Sequence, residues 1–348
     1  MSSENNEVKI PLIWRLRAWW HGYDLDDIRA RLSKSAEPLS GDISPPAGET
    51  PEEKYPDSPP ERDDERDDER DDEEDDEIEF IEENHVAVKA VWDTERAHVA
   101  QIFWGDGFCG PGGPENIIHM TEPLNVNSKR RTMVIGAGLG GPVRVIHKEY
   151  TAPVDGYESS KKLATAGMSM SLEAGIAQDA PIIHIDLENN PAFSRKYDRA
   201  FAKESLFIIP DKPRLVQAIH DQLKQDGLFL LTDYILSETA DRDSETYLKW
   251  RELEPYTPEP VTAAAMLACL EEAGFIVKLE EDITDFYLGL IADARKHAKK
   301  IIAGMESDEV KNVTILTYMY NEAVFWDTRA RLLRNGDLKV IKYLCSRP

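Results

Sequence analysis

The residues whose spacing points most directly to chemistry are the glycines of TMVIGAGLGGPVRVI, residues 132–146. An apolar run feeds Gly136, Ala137, Gly138, Leu139, Gly140 and Gly141, and a helical pattern follows. So tight a turn needs glycine, because any Cβ would hold a ligand away from the backbone. The helix beyond it presents unpaired N–H groups to an anionic or polar ligand group. About twenty positions on stands Glu158, in APVDGYESS, at the end of the next expected strand. There its carboxylate would accept hydrogen bonds from two ribose hydroxyls. Asp155 competes for that role if the strand runs one pleat shorter. The glycine pattern by itself serves nicotinamide, flavin and S-adenosyl nucleosides alike.

Other reactive residue types form no comparable cluster. The three cysteines, Cys109, Cys269 and Cys345, are widely separated, with no CxxC pair. The eight histidines show no HExxH spacing. Neither a disulfide framework nor a metal site is expected, and a reducing cytoplasm is the simplest setting. The opening residues lack a signal peptide's apolar stretch and cleavage site, and no apolar run reaches the roughly 18–20 residues of a membrane span. A soluble, cytoplasmic protein is expected.

The elements that must position the turn read as an α/β alternation. Strands are expected at 131–135, 151–157, 182–186, 198–205 and 228–234, with helices at 86–102, 143–149, 163–177 and 212–225 between and before them. This βαβ succession predicts a Rossmann-like doubly wound sheet, mostly parallel. A helix at 261–273, a strand at 275–279, helices at 283–304 and 308–334 and a last strand at 338–345 suggest a C-terminal antiparallel strand pair. The domain is expected over residues 84–348.

Ahead of it lie two different segments. Residues 9–35 are basic and aromatic, with Ile13, Leu16 and Trp20 on one helical face. That face is read as docking on the chain's own domain or, alternatively, on a partner protein or membrane surface. Residues 36–83 are rich in Pro, Ser and acidic residues and contain ERDDERDDERDD, a composition expected to stay disordered. Residues 61–77 carry 14 acidic and three basic side chains, so 11 of the chain's 25 net negative charges sit there. An acidic surface of this kind argues against nucleic acid as a partner.

Several stretches in order are similar to class I S-adenosylmethionine-dependent methyltransferases acting on small molecules, across most of residues 90–348. WGDGFCGPGG (104–113) resembles their loop before the first strand, VIGAGLGG their first motif and GYESS (156–160) their second. LKQDGLFLLTDYI (223–235) resembles their fifth strand, and residues 271–287 with 335–348 their final hairpin. The nearest groups are the phosphoethanolamine and sarcosine/dimethylglycine N-methyltransferases. This resemblance implies S-adenosyl-L-methionine as cofactor, touched by Gly136, Ala137, Gly138 and Gly140. It further implies ribose contact by Glu158 and adenine contact near Asp186 and Leu187. The implied acceptor is a small molecule, with an amine favoured, under a roof of the Phe108 loop and the C-terminal helices. One departure stands out: where the phosphoethanolamine enzymes pair a tyrosine with a histidine, this chain has Phe108 and Ile208.

Three features weigh against a nicotinamide or flavin oxidoreductase. The turn comes 135 residues into the chain, no second glycine-rich half follows, and the C-terminal elements do not suit a six-stranded parallel sheet. Methyl transfer needs an acceptor lone pair, so a protonated amine must lose its proton. Glu204 and Asp233, expected at the carboxyl ends of the fourth and fifth strands, are the candidates to take it. Trp104, Phe108, Tyr234 and Trp326, with Tyr247, Trp250 and Tyr256, are candidates to line the pocket and hold a cationic acceptor against their rings. A protein that binds the cofactor without chemistry is the remaining alternative.

Overall fold

The computed structural model describes residues 91–303 and 313–348. The expected docking segment 1–35, the linker 36–83 and the first residues of the expected helix at 86–102 lie outside the described residues. The helix α1 begins at Thr94, not Val86, and runs to Trp104. Asp93 sets its start, since its side chain accepts the Arg96 N–H at 2.8 Å and so caps the helix. An unexpected helix, α2 (Gly113–Thr121), follows the glycine-rich loop and opens on a proline in its first turn, where the missing N–H costs nothing.

The sheet then builds up as expected. β1 (Thr132–Ile135), α3 (Gly141–Tyr150), β2 (Val154–Glu158), α4 (Lys161–Glu173) and β3 (Ile182–His184) form the first half. β4 (Tyr197–Lys203), α5 (Lys212–Gln222) and the long β5 (Leu223–Leu236) continue it. Next come α6 (Glu245–Leu253), not foreseen, and α7 (Ala263–Glu272). β6 (Ile276–Asp282), α8 (Thr284–Ala303), α9 (Val313–Asn335) and β7 (Leu338–Ser346) close the chain. The strand order is β3-β2-β1-β4-β5-β7-β6, with β7 antiparallel to both of its neighbours.

Two boundary differences have local causes. β2 starts at Val154 rather than Thr151, because Thr151 sits at φ +51 as the C-cap of α3. β3 ends at His184 rather than Asp186, because the Asp186 carboxylate captures the N–H groups of Glu188 and Asn189 at 3.1 and 2.9 Å. That local turn competes with the strand ladder.

β1 is buried along its whole length, as a central strand covered on both faces must be. It pairs with β2 on one side and β4 on the other, so the chain departs in opposite directions from the middle of the sheet. The crevice outside the carboxyl ends at such a point is where open α/β sheets bind ligands. Side chains of β5 alternate between the two faces: Leu230 and Tyr234 join the core under α1 and α9, while Phe229, Leu231 and Ile235 join the core under α5 and α7.

Candidate active site

The turn after β1 places Gly136, Gly138 and Gly140 at φ +68, +55 and +80, all in the left-handed region. At Gly136 a Cβ would stand 2.3 Å from the Ser205 Cβ, so the turn can lie against the end of β4 only as glycine. At Gly140 a Cβ would stand 2.6 Å from Ile182 Cδ1, so this glycine lets α3 pack on β3. Gly136, Ala137 and Gly138 line a cleft at the carboxyl edge of the sheet. Gly140 does not line it; its place is structural.

Glu158 ends β2 and faces the same cleft. Its Oε2 accepts the Gly138 N–H at 2.7 Å and its Oε1 accepts the Ser160 N–H at 2.7 Å. Burial pushes its pKa up, and the hydrogen bonds from Ser160 and Gly138 pull against that shift. Asp155, the competing residue, points elsewhere: Arg131 lies 3.2 Å from it and the Tyr197 hydroxyl donates to it at 2.7 Å. Leu187 lines the cleft, whereas Asp186 does not. Hydrogen bonds from Asn189 hold the Asp186 carboxyl below the usual range while it stays in solvent.

The cleft encloses about 170 Å³ and continues from the glycine turn to a second region. Its roof comes from the Phe108 loop, from Pro255 and Tyr256, and from α9 through Phe325, Trp326 and Arg329. Phe108 and Ile208 both line it, so the two positions fall where the sequence placed them and carry apolar groups. Trp104 does not line the cleft; its ring meets Trp326 edge-on at 4.7 Å and supports the roof from behind. Cys109 lines the cleft, and desolvation pushes its pKa up to about 12.

Glu204 stands one residue past β4, lines the cleft and takes an unusual backbone conformation at φ +40. Its Oε1 accepts the Thr232 hydroxyl at 2.6 Å, and its Oε2 accepts from the Tyr287 hydroxyl at 3.0 Å and from Lys203. The chain of bonds continues away from it. Tyr234 donates to Tyr287 at 3.0 Å, and Arg329 Nη1 donates to Tyr234 at 3.2 Å. Tyr234 is thus fully buried and acts through Tyr287, which lines the cleft. The sequence offered no signal for Tyr287 beyond its place on an amphipathic helix.

Asp233 does not belong to this cluster. It lies within β5, not at its end, and alternation turns it to the opposite face, with Phe229, Leu231 and Ile235. Burial pushes its pKa up to about 7, against the pull of Lys212 and of the backbone N–H groups of Phe207 and Tyr234. Asp233 does not line the cleft, whereas Glu204 does.

The aromatic wall also differs from expectation. The Arg329 guanidinium lies 4.4 Å from the centre of the Phe325 ring, 4.7 Å from Trp326, 4.8 Å from Tyr234 and 5.4 Å from Phe207. Rings expected to hold a cationic acceptor already hold a cation of the chain. Glu254 accepts from Arg329 Nε at 2.7 Å and from Nη2, and the pair is buried. Burial works against the Arg329 charge, but Glu254 outweighs it and the pKa rises. On α9, Glu322, Phe325, Trp326 and Arg329 recur at the helical spacing of one face. That pattern was the available sequence signal.

No protein-family model matches the chain. Phosphoethanolamine N-methyltransferase 1 of Zea mays is 25% identical over 189 residues, which is 54% of this chain and 36% of that protein. The chain spans less than half the length of the plant proteins it matches first. Among solved structures, phosphoethanolamine N-methyltransferase 2 of Haemonchus contortus, in complex with phosphomonomethylethanolamine and S-adenosylhomocysteine, superposes with a TM-score of 0.62. It does so at 16% identity over 74% of this chain and 58% of its own. The fold is that of the S-adenosylmethionine-dependent methyltransferases. The same fold extends to the [4+2]-cyclase SpnF, with a TM-score of 0.56 at 14% identity over 75% of this chain and 98% of its own. In this chain β7 is inserted antiparallel between β5 and β6, which the parallel 3-2-1-4-5-6 sheet of dinucleotide-binding proteins lacks. No helix among the described residues is long and apolar enough to cross a membrane.

Proposed function

We propose that the chain is an S-adenosylmethionine-dependent methyltransferase acting on a small-molecule acceptor. The observation that carries this is one continuous cleft. At one end lie the Gly136–Gly138 turn and Glu158, and at the other the Glu204–Tyr287 cluster under α9. The residues present fit the cofactor: a left-handed glycine turn along the cleft, a buried carboxylate beside it and an apolar flank from Leu187.

When bound, S-adenosylmethionine supplies an electrophilic methyl group. Gly136, Ala137 and Gly138 let a ligand approach the backbone, and Glu158 offers its oxygens to ribose hydroxyls. Phe108, Trp326 and Phe325 exclude water from the region where an acceptor would sit. Holding the acceptor in line supplies much of the acceleration in such a displacement. Tyr287, hydrogen-bonded to Glu204, is positioned to receive an acceptor proton at its oxygen while its own passes to Glu204.

A second reading, cofactor binding without methyl transfer, is favoured by Glu204 already accepting from Thr232, Lys203 and Tyr287, which leaves both of its oxygens engaged within the chain. The experiment that separates the two is S-adenosylhomocysteine release from S-adenosylmethionine across neutral amine, hydroxyl and carboxylate acceptors. Turnover on any of them supports methyl transfer. Calorimetric binding of the cofactor with no turnover across the set supports the binding protein.

A further inference from the structure

A cage of aromatic rings recognises a cation because each ring face is electrostatically negative and the enclosed space is dry. In this chain the cage at the acceptor end of the cleft is complete and already filled. Phe207, Tyr234, Phe325 and Trp326 surround the Arg329 guanidinium at 4.4 to 5.4 Å. Three of these rings, together with Tyr234 through its partner Tyr287, belong to the wall or support of the cleft described above.

Arg329 is fixed in this place from three directions. Its position on α9 sets where the side chain starts. Glu254, at the end of α6, accepts from its Nε and Nη2, and the same Glu254 oxygen accepts the indole N–H of Trp250. Tyr234 accepts from its Nη1 at 3.2 Å. Displacing the guanidinium would leave the buried Glu254 carboxylate without its counter-ion, so a ligand cation entering the cage would have to replace that charge. The Phe325 ring has a second guanidinium, Arg96, 4.8 Å from its centre, with Glu322 as the counter-ion at 3.2 Å. Two internal cations therefore use the same aromatic wall.

We propose that Arg329 is the resident cation of the acceptor cage and so a specificity residue: the cleft takes acceptors that carry no positive charge where they meet this wall. Its meaning for substrate choice rests on the methyltransferase reading above. An amine would enter as its free base, the form that has a lone pair, and a trimethylammonium group would be refused. Such a refusal is built by filling the site rather than by weakening it.

The test is a tryptophan-fluorescence titration of the full chain with tetramethylammonium and with methylguanidinium, which needs no turnover. Wild type is expected to show no saturable change with either probe. Arg329→Ala empties the cage while keeping the Glu254 counter-charge, and is expected to bind both probes at least about tenfold more tightly than wild type. Should that variant fail to fold, Arg329→Ala with Glu254→Gln removes both charges and is expected to show the same gain, smaller. Saturable tetramethylammonium binding by wild type overturns the proposal, as does a folded variant that gains nothing. If no variant folds, the wild-type titration decides alone. Calorimetry with S-adenosylhomocysteine on wild type is run beside it: failure there sinks the methyltransferase reading and leaves the state of the cage decided separately.

Discussion

Burying a carboxylate disfavours its charged form, and Asp233 is fully buried. Its folded pKa lies at about 7, above its ordinary 3.8. A carboxyl group shifted up favours the folded state while protonated and loses that advantage as pH rises from about 4 through about 7. Asp233→Asn is therefore expected to raise Tm at pH 8 by about 3 °C or more, with the difference from wild type vanishing toward pH 4. Thermal melts of both proteins across that range check it; an unchanged difference at every pH would contradict the assignment. In the sequence Asp233 looks like a twin of Glu204, because both stand at the expected carboxyl ends of apolar strands. What separated them was the parity of β5, whose true extent to Leu236 turned position 233 away from the cleft. Glu158 was legible for the opposite reason: its separation from the glycine turn fixes both ends of one βα unit.

At the scale of elements, the turn between β1 and α3 depends on two glycines that do different work. Gly136→Ala would drive a Cβ to 2.3 Å from Ser205 Cβ at a backbone φ of +68. A loss of about 2–4 kcal/mol in stability is expected, read by denaturant unfolding. Adding Ser205→Gly should recover the steric part and leave the backbone part. Gly138→Ala, whose Cβ would sit at an ordinary 3.5 Å from Cys109 Sγ, should cost less, about 1–2 kcal/mol. Equal losses at the two glycines would contradict this division. The order of strands and helices was readable because parallel strands here are short apolar runs separated by amphipathic helices. Helices α2 and α6 were not: α2 is nine residues sheltered behind a glycine-rich loop, and α6 is nine residues capped by Ser244, too short for periodicity to stand out. The Arg329–Glu254 pair was hidden as well, since it joins residues 75 apart that only the packing of α6 against α9 brings together.

For the whole molecule, the described residues 91–303 and 313–348 supply a seven-stranded sheet, two cores and the cleft. The acidic tract, with its 11 net negative charges in 17 residues, is a separate compositional unit. Deletion of residues 1–83 is expected to leave S-adenosylhomocysteine affinity within about twofold and Tm within a few degrees of the full chain. A fall of more than about 10 °C would assign part of that stretch to the folded domain, because it would correspond to losing several kcal/mol of packing. The composition of the tract was plain in the sequence; what it meets was not, because charge alone names no partner.

The central claim is that a sulfonium nucleoside occupies the cleft lined by the Gly136–Gly138 turn and Glu158. Isothermal calorimetry of wild type and Glu158→Ala with S-adenosylhomocysteine, NAD and FAD tests it most directly. Wild type is expected to bind S-adenosylhomocysteine alone, and Glu158→Ala to bind it about 10- to 100-fold more weakly, the loss of charge-assisted hydrogen bonds worth about 1.5–3 kcal/mol. Saturation by NAD or FAD with no heat from S-adenosylhomocysteine, or undiminished affinity in Glu158→Ala, would contradict the account.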